Sequence, residues 1–355
     1  MPGHVYGASC PPIYGSIVMK LQDFYRTYYM YGRGLFLYCT KKQRRKNMLL
    51  TIILLIIGFV LLVKGSDLFV DGSSSVARLM GIPAVVVGLT IVSMGTSAPE
   101  AAVSITAGFR GSNEIAISNL VGSNTFNMLC VAGLSAAITP FVVDKIIIKR
   151  DFPVCLGVMA ITILMGLDGV ISRLDGIILL AIFVAYITIL VISAIRNHDK
   201  EEDGEKPMSP VKSIIFMVIG LGAIIGGGEL VVRSAQKIAL AFGMSETLIG
   251  VTIIAIGTSL PELVTSVIAA RKGQSGIAIG NVVGSSFFNL AFVLGMSSAA
   301  NPVGVVPEAM IDAVIMIAVN ALGFVYCITG RKLARWEGIS LVCIYVAYTA
   351  YLIVR

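Results

Sequence analysis

Two short stretches of the chain end on a carboxylate that their surroundings do not explain: Gly95-Thr96-Ser97-Ala98-Pro99-Glu100 and Gly257-Thr258-Ser259-Leu260-Pro261-Glu262. Both lie inside apolar runs. Insertion scales make an acidic residue at the centre of a membrane helix unfavourable by about 2.5 to 3.5 kcal/mol, so a pair of them calls for a neutralising partner. Neither run carries a Lys or Arg at comparable depth. The missing counter-charge is then a cation.

The proline accounts for the rest of each hexapeptide. It lacks an N–H and its ring clashes with the carbonyl four residues earlier, here Gly95 or Gly257, so the helix must kink or break. Carbonyls around Thr96 and Thr258 thereby leave the helical ladder, and free backbone at this depth is tolerated only where it lines a cavity or binds an ion. Carboxylate, carbonyl and hydroxyl together form a hard-oxygen ligand set, suited to Ca2+ and Na+ and poor for zinc or copper. Two glutamates match the charge of one Ca2+.

A second pair of motifs follows each hexapeptide: Asn119-Leu120-Val121-Gly122-Ser123-Asn124-Thr125-Phe126-Asn127 and Asn281-Val282-Val283-Gly284-Ser285-Ser286-Phe287-Phe288-Asn289. Ser123 and Asn127 are four apart and share a helix face, as do Ser285 and Asn289. The small Gly and Ser residues around them permit the close helix approach that would bring that face to the broken helix.

The elements that must hold these groups are membrane helices. Of the 355 residues 56% are hydrophobic and 13% charged, and the mean hydropathy is +0.90, values foreign to soluble domains. The net charge of +7 sits in short clusters between apolar segments, which points to membrane-flanking loops and away from nucleic acid. The cysteines show no CxxC or Cys/His spacing, and Cys130, Cys155, Cys327 and Cys343 fall inside apolar runs, as small core residues do.

Apolar stretches of spanning length are expected at about 49–70, 82–109, 113–138, 152–170 and 174–195, then at about 212–239, 244–270, 275–300, 308–329 and 337–354. The hydrophilic linker at 196–211 separates the two groups of five. Sliding the chain by 162 residues aligns 88–140 with 250–302 without a gap, at 25 identities in 53 positions, which establishes an internal duplication. An odd number of spans per half makes the second half enter the membrane from the opposite side. The expected fold is therefore an all-α integral membrane protein of ten transmembrane helices in two inverted five-helix repeats, 48–195 and 212–355.

On that plan thirteen Lys and Arg residues flank one face and five the other, which places the linker in the cytoplasm and both ends of the core outside, with the plasma (inner) membrane as the expected location. Residues 1–47 break the pattern: they are rich in Tyr, Gly and Pro, and the run Lys41-Lys42-Gln43-Arg44-Arg45-Lys46 would lie outside. They read as an extension apart from the transporter core, with translation starting at Met48 or the segment not native. Asp67 and Glu229, at equivalent positions, have Lys64 and Arg233 within one turn and are expected to form local ion pairs.

The paired GTSxPE and GSxxxN motifs resemble the α-repeats of the cation/Ca2+ exchanger superfamily, in the branch of Na+/Ca2+ exchangers and their prokaryotic relatives, over Met48 to Arg355. The resemblance implies inverted α-repeats at 88–140 and 250–302, a central group of ion sites and alternating access. It implies Glu100 and Glu262 as shared Ca2+ and Na+ ligands, carbonyls from Thr96 and Thr258, and Ser97, Ser259, Ser123, Ser285, Asn127 and Asn289 completing the sites. K+-dependent members carry Asp where this chain has Asn289, so no K+ requirement is expected. H+/Ca2+ exchangers resemble the chain less, and H+-coupled exchange of Ca2+ or another divalent cation is the alternative to Na+ coupling.

No cofactor is expected, only Ca2+ and Na+ as transported ions and the lipid bilayer as surroundings; the oligomeric state stays open, a monomer included. An intramembrane aspartyl protease lacks its paired Asp in apposed helices, and neither HExxH nor GxSxG occurs. A cation channel also uses acidic groups, but duplicated broken helices favour a carrier. Taken singly, either glutamate reads as a structural carboxylate satisfied by hydroxyls, and the serines as interhelical hydrogen bonders; duplication argues against the first.

Overall fold

The computed structural model describes residues 48–109, 113–196, 206–244 and 255–354. The N-terminal extension, its basic run and the middle of the linker lie outside them. The chain divides between Ile53 and Leu54, and the contacts below all belong to the second unit.

The described chain is almost wholly helical, as it must be where only helices satisfy the backbone without water. In order the helices are α1 (Met48–Met80), α2 (Ala84–Thr96) and α3 (Ala98–Phe109), α4 (113–138), α5 (Phe152–Met165), α6 (Arg173–Arg196), α7 (Pro210–Ala241), α8 (Ala255–Thr258), α9 (Leu260–Arg271), α10 (Ser275–Ala300), α11 (Pro307–Ile328) and α12 (Arg335–Val354). Seven are long and apolar enough to cross a bilayer, and the bent pair α2–α3 is an eighth candidate. Two expected spans are not of that kind among the described residues. α5 has 14 residues, and residues 245–254, ahead of α8, lie outside the described part.

α1 runs ten residues past its expected end. The helix carries through Gly72 and Ser73 to Ser75, a run of weak helix formers without a proline, and the stop comes only at Gly81, which takes a φ of 61°, with Pro83 opening α2. At 33 residues it is about 50 Å long, well beyond a hydrocarbon core of about 30 Å.

Burial sorts the helices into a centre and a shell. In their apolar windows 94% of α10 and 78% of α4 are buried, against 17% in both α1 and α12. The shell helices turn Phe59, Ile177 and Val346 outward, as lipid-facing surfaces do. This is a multi-pass membrane protein with its polar residues at the middle.

Two glycine seams set the close approaches. A Cβ on Gly276, Gly280 or Gly284 of α10 would come within 3.0 Å of α2, meeting Val85, its carbonyl, or Ser93 and Leu89. This is the small-xxx-small spacing that lets membrane helices touch backbone to backbone. On the shell, a Cβ on Gly58 or Gly65 of α1 would lie 3.0 or 2.9 Å from the Gly227 or Gly220 carbonyl of α7. These glycines let α1 and α7 pack backbone to backbone.

Structural details recur at the 162-residue offset. The helix widens into a π-turn at Asn127–Ala132 and again at Asn289–Leu294. Two-residue ladders pair β1 (Phe141–Val142) with β4 (Lys332–Leu333), and β2 (Val170–Ile171) with β3 (Val303–Gly304). Among the described residues the ion pairs differ between the halves. Glu229 bonds Arg233 as expected, but Asp67 does not take Lys64: it pairs with Lys272 at 2.6 Å, which also reaches Asp71 at 2.7 Å. Lys272 lies past the end of α9, far along the chain but beside α1.

Candidate cation site

The two hexapeptides fold alike. α2 ends at Thr96 and α3 begins at Ala98, bent by 55°, and the intervening Ser97 has φ −80° and ψ 7°. Ser259, between α8 and α9, has φ −93° and ψ 7°. Both adopt the bridge region common at functional turns. Proline follows two residues later in each case, and its missing N–H explains why the ladder breaks there.

Each break hands its serine to the other copy's glutamate. Ser97 Oγ donates to Glu262 Oε1 at 2.8 Å, and Ser259 Oγ donates to Glu100 Oε1 at 2.9 Å. All four residues are fully buried. A hydroxyl bonded to a carboxylate is among the stronger hydrogen bonds, so the two broken helices are tied together at their carboxylates.

The predicted serines and asparagines of α4 and α10 join this pair unequally. Ser259 and Ser123 hydroxyls lie 3.1 Å apart, and Asn289 Nδ2 donates to Ser123 Oγ at 3.3 Å. Asn289 Nδ2 also donates to Asn124 Oδ1 at 3.0 Å, while Asn124 Nδ2 donates to the Ser286 carbonyl at 3.1 Å. The Ser285 hydroxyl lies 3.5 Å from the Ser93 carbonyl, the outer limit of a hydrogen bond. Thr96 uses its hydroxyl on Asn281 Oδ1 at 3.0 Å, and Thr258 is half-buried on the last turn of α8.

Sequence reasoning passed over four residues that matter here. Asn281 Nδ2 donates to Ser266 Oγ at 2.9 Å and to the Glu262 carbonyl at 3.3 Å. Its counterpart Asn119 donates to Ser104 Oγ at 2.9 Å. All four are identities of the internal alignment, which was the available signal. Asn124 had none, because its counterpart is Ser286.

What the arrangement can do follows from the atoms left over. Glu100 Oε2, Glu262 Oε2, Asn289 Oδ1 and both amide atoms of Asn127 are buried without a hydrogen-bond partner, five of nine such side-chain atoms among the described residues. Four of the five are oxygens. Buried acceptors left unpaired are costly, and a carboxylate oxygen most of all. A hard cation satisfies carboxylate and amide oxygens together. Among the described residues no three His, Cys, Asp or Glu side chains come together; two carboxylates with neutral oxygens would give a cation a low-charge site, one that can release an ion as well as bind it.

The family model described as "Sodium/calcium exchanger protein" matches residues 50–192 and 212–354. The chain belongs to the sodium/calcium exchanger family. Among relatives of this exchanger family, the chain is 38% identical over 315 residues to the "Putative antiporter CaxA" of Alkalimonas amylolytica, covering 85% of this chain and 98% of that protein. It is 31% identical to the "Sodium/calcium exchanger MaX1" of Methanosarcina acetivorans, covering 84% and 97%. A solved structure of the sodium-calcium exchanger NCX_Mj soaked with 2.5 mM Na+ and 0.1 mM Ca2+ superposes at a TM-score of 0.75, with 34% identity and coverage of 85% and 98%. Members of the family are transporters, and this exchanger is not an enzyme.

Proposed function

We propose that the chain is a secondary antiporter that exchanges Ca2+ for Na+ across the membrane by alternating access, with Glu100 and Glu262 as shared ligands. One observation carries the reading: two fully buried carboxylates, each with one oxygen held by the other copy's serine and the other oxygen unpartnered. Ca2+ would bind between them with Asn127 and Asn289 oxygens, the Thr96 and Thr258 carbonyls, and the hydroxyls of Ser97, Ser259, Ser123 and Ser285. Na+ would use the same oxygens. Because the ligands are shared, either load excludes the other, and that exclusion is what couples the two fluxes.

The same reading takes the core as ten spans in two inverted halves, 48–195 and 212–355, joined by a cytoplasmic linker at 196–211, with residues 1–47 outside the core. The recurrence of breaks, π-turns and ladders at one offset supports it. The glycine seam makes α1 and α7 a single body, and that body rocking across α2–α3 and α8–α9 would expose the site to one face and then the other. Asn289 in place of Asp favours operation without K+.

The test is Ca2+ flux in proteoliposomes under imposed Na+, K+ or H+ gradients. An outward Na+ gradient is expected to drive uptake of radiolabelled Ca2+, with K+ inert, and Glu100→Gln or Glu262→Gln is expected to abolish it. Uptake retained in both variants removes the glutamates from the mechanism, and uptake driven by H+ alone replaces Na+ as the coupling ion. Acid should inhibit, since protons compete with cations for the carboxylates.

A further inference from the structure

An amide side chain offers oxygen on one side and N–H groups on the other, and only the oxygen can bind a cation. Which end faces the site is decided by its other hydrogen bonds. For Asn289 that decision traces back to a backbone carbonyl. The Ser286 carbonyl is an acceptor only, so the Asn124 amide group that faces it must be Nδ2, at 3.1 Å. Asn124 then presents Oδ1 to Asn289, and that oxygen can only accept, so Asn289 must turn Nδ2 toward it, at 3.0 Å. The Ser123 hydroxyl takes a second N–H from the same nitrogen at 3.3 Å. Both N–H groups of Asn289 are thereby used, and its Oδ1 is left buried and unpartnered.

The other half lacks this device. The residue 162 positions after Asn124 is Ser286, whose hydroxyl is buried without a partner, and Asn127, the counterpart of Asn289, has both amide atoms unpartnered. Nothing among the described residues selects which end of Asn127 faces inward.

We propose that Asn124 is the positioning residue of the cation site, fixing the Asn289 amide so that its oxygen faces the ion, while Asn127 is left free to turn. The proposal rests on the reading of Asn289 as a cation ligand. Asn124 itself touches no ion; it acts through Asn289. Partners that orient a ligand in this way commonly account for about tenfold or more of metal affinity.

A double-variant cycle tests it, with Ca2+ binding to the purified full chain measured by calorimetry in Na+-free buffer. Asn124→Ala is expected to weaken binding by about tenfold, and Asn124→Ser, which installs the residue of the other half, to act in the same direction should the alanine variant not yield monodisperse protein. In Asn289→Asp both side-chain oxygens can bind, so orientation no longer matters, and adding either change at 124 should cost less than about twofold. An equal loss in both backgrounds overturns the proposal, because it would mean that Asn124 merely holds α4 to α10 through the Ser286 carbonyl. Unchanged affinity in the single variants overturns it as well. If the unaltered chain binds no Ca2+, or Glu100→Gln binds as well as the unaltered chain, it is the reading of the site that fails.

Discussion

The two carboxylates of the site carry the same first hydrogen bond and different support behind it. At Glu100, the bonding hydroxyl of Ser259 is braced by Ser123, Ser123 by Asn289, and Asn289 in turn by Asn124. At Glu262, the hydroxyl of Ser97 has no such brace among the described residues, and the support comes instead through Asn281 on the glutamate's own backbone. A duplication that preserved every candidate ligand type has therefore produced two unlike surroundings. On the proposed function, such a pair would suit a site that takes either one divalent ion or several monovalent ones, because a rigid side and an adjustable side need not change together.

Removing each serine hydroxyl should expose this difference most strongly. Ser259→Ala removes one hydrogen bond from Glu100 and also unties Ser123, whereas Ser97→Ala removes one from Glu262 and unties no second serine among the described residues. A hydrogen bond to a charged group is worth about 1.5 to 3 kcal/mol, which corresponds to roughly ten- to a hundredfold in Ca2+ affinity for Ser259→Ala, with a smaller loss for Ser97→Ala. Calorimetric titration of both variants decides the matter. Equal losses would mean that the bracing chain contributes nothing and that the two sides behave as one.

How much of this was legible in the sequence depends on the range of the interaction. Pro99 and Pro261 announce broken helices because a missing N–H is a property of the residue itself, and Glu100 and Glu262 stand out because charge in an apolar run has no local remedy. The pairing of each glutamate with the opposite serine was not legible, though both residues were named, because it depends on how two halves 162 residues apart face one another. Asn124 was invisible for a sharper reason. Duplication highlights what the halves share, and Asn124 matters because they differ. The end of α1 was misplaced since hydropathy falls after Val70, while helix formation, with α7 alongside, continues to Gly81.

The seam between α1 and α7 is the symmetric contrast to the site. Gly65 and Gly227 are offset counterparts, and a Cβ on either would lie 2.8 to 2.9 Å from the partner helix's backbone. Overpacking of this kind typically costs about 1 to 3 kcal/mol. Gly65→Ala and Gly227→Ala are expected to lower thermal stability in detergent by equal amounts. Gly222→Ala, where a Cβ meets nothing within 4 Å, serves as the control and should change little. Unequal losses at the two counterparts would extend the asymmetry of the site to the whole molecule.

The ion pairs repeat the lesson of the site at a smaller scale. Asp67 and Glu229 are counterparts, but the next turn carries Asp71 in one half and Arg233 in the other. Glu229 is therefore satisfied within its own helix, whereas Asp67 and Asp71 together recruit Lys272 from beyond α9. Burial disfavours the Lys272 ammonium, but its hydrogen bonds to Asp67 and Asp71 outweigh that and hold its pKa above the usual lysine range. A pKa raised by folding contributes stability that is complete at neutral pH and is lost only as pH climbs past the ordinary lysine value toward the raised one. The carboxylates are 43% and 47% exposed, so solvent screens the pair and Lys272→Ala should cost no more than about 1 kcal/mol. That cost is expected to shrink in high salt, and Arg233→Ala, which breaks a pair within one exposed helix, should cost less still. Thermal melts of both variants across salt and pH check this, and a Lys272 effect that is indifferent to salt would mean that the side chain acts by packing between α1 and α9 and not by its charge.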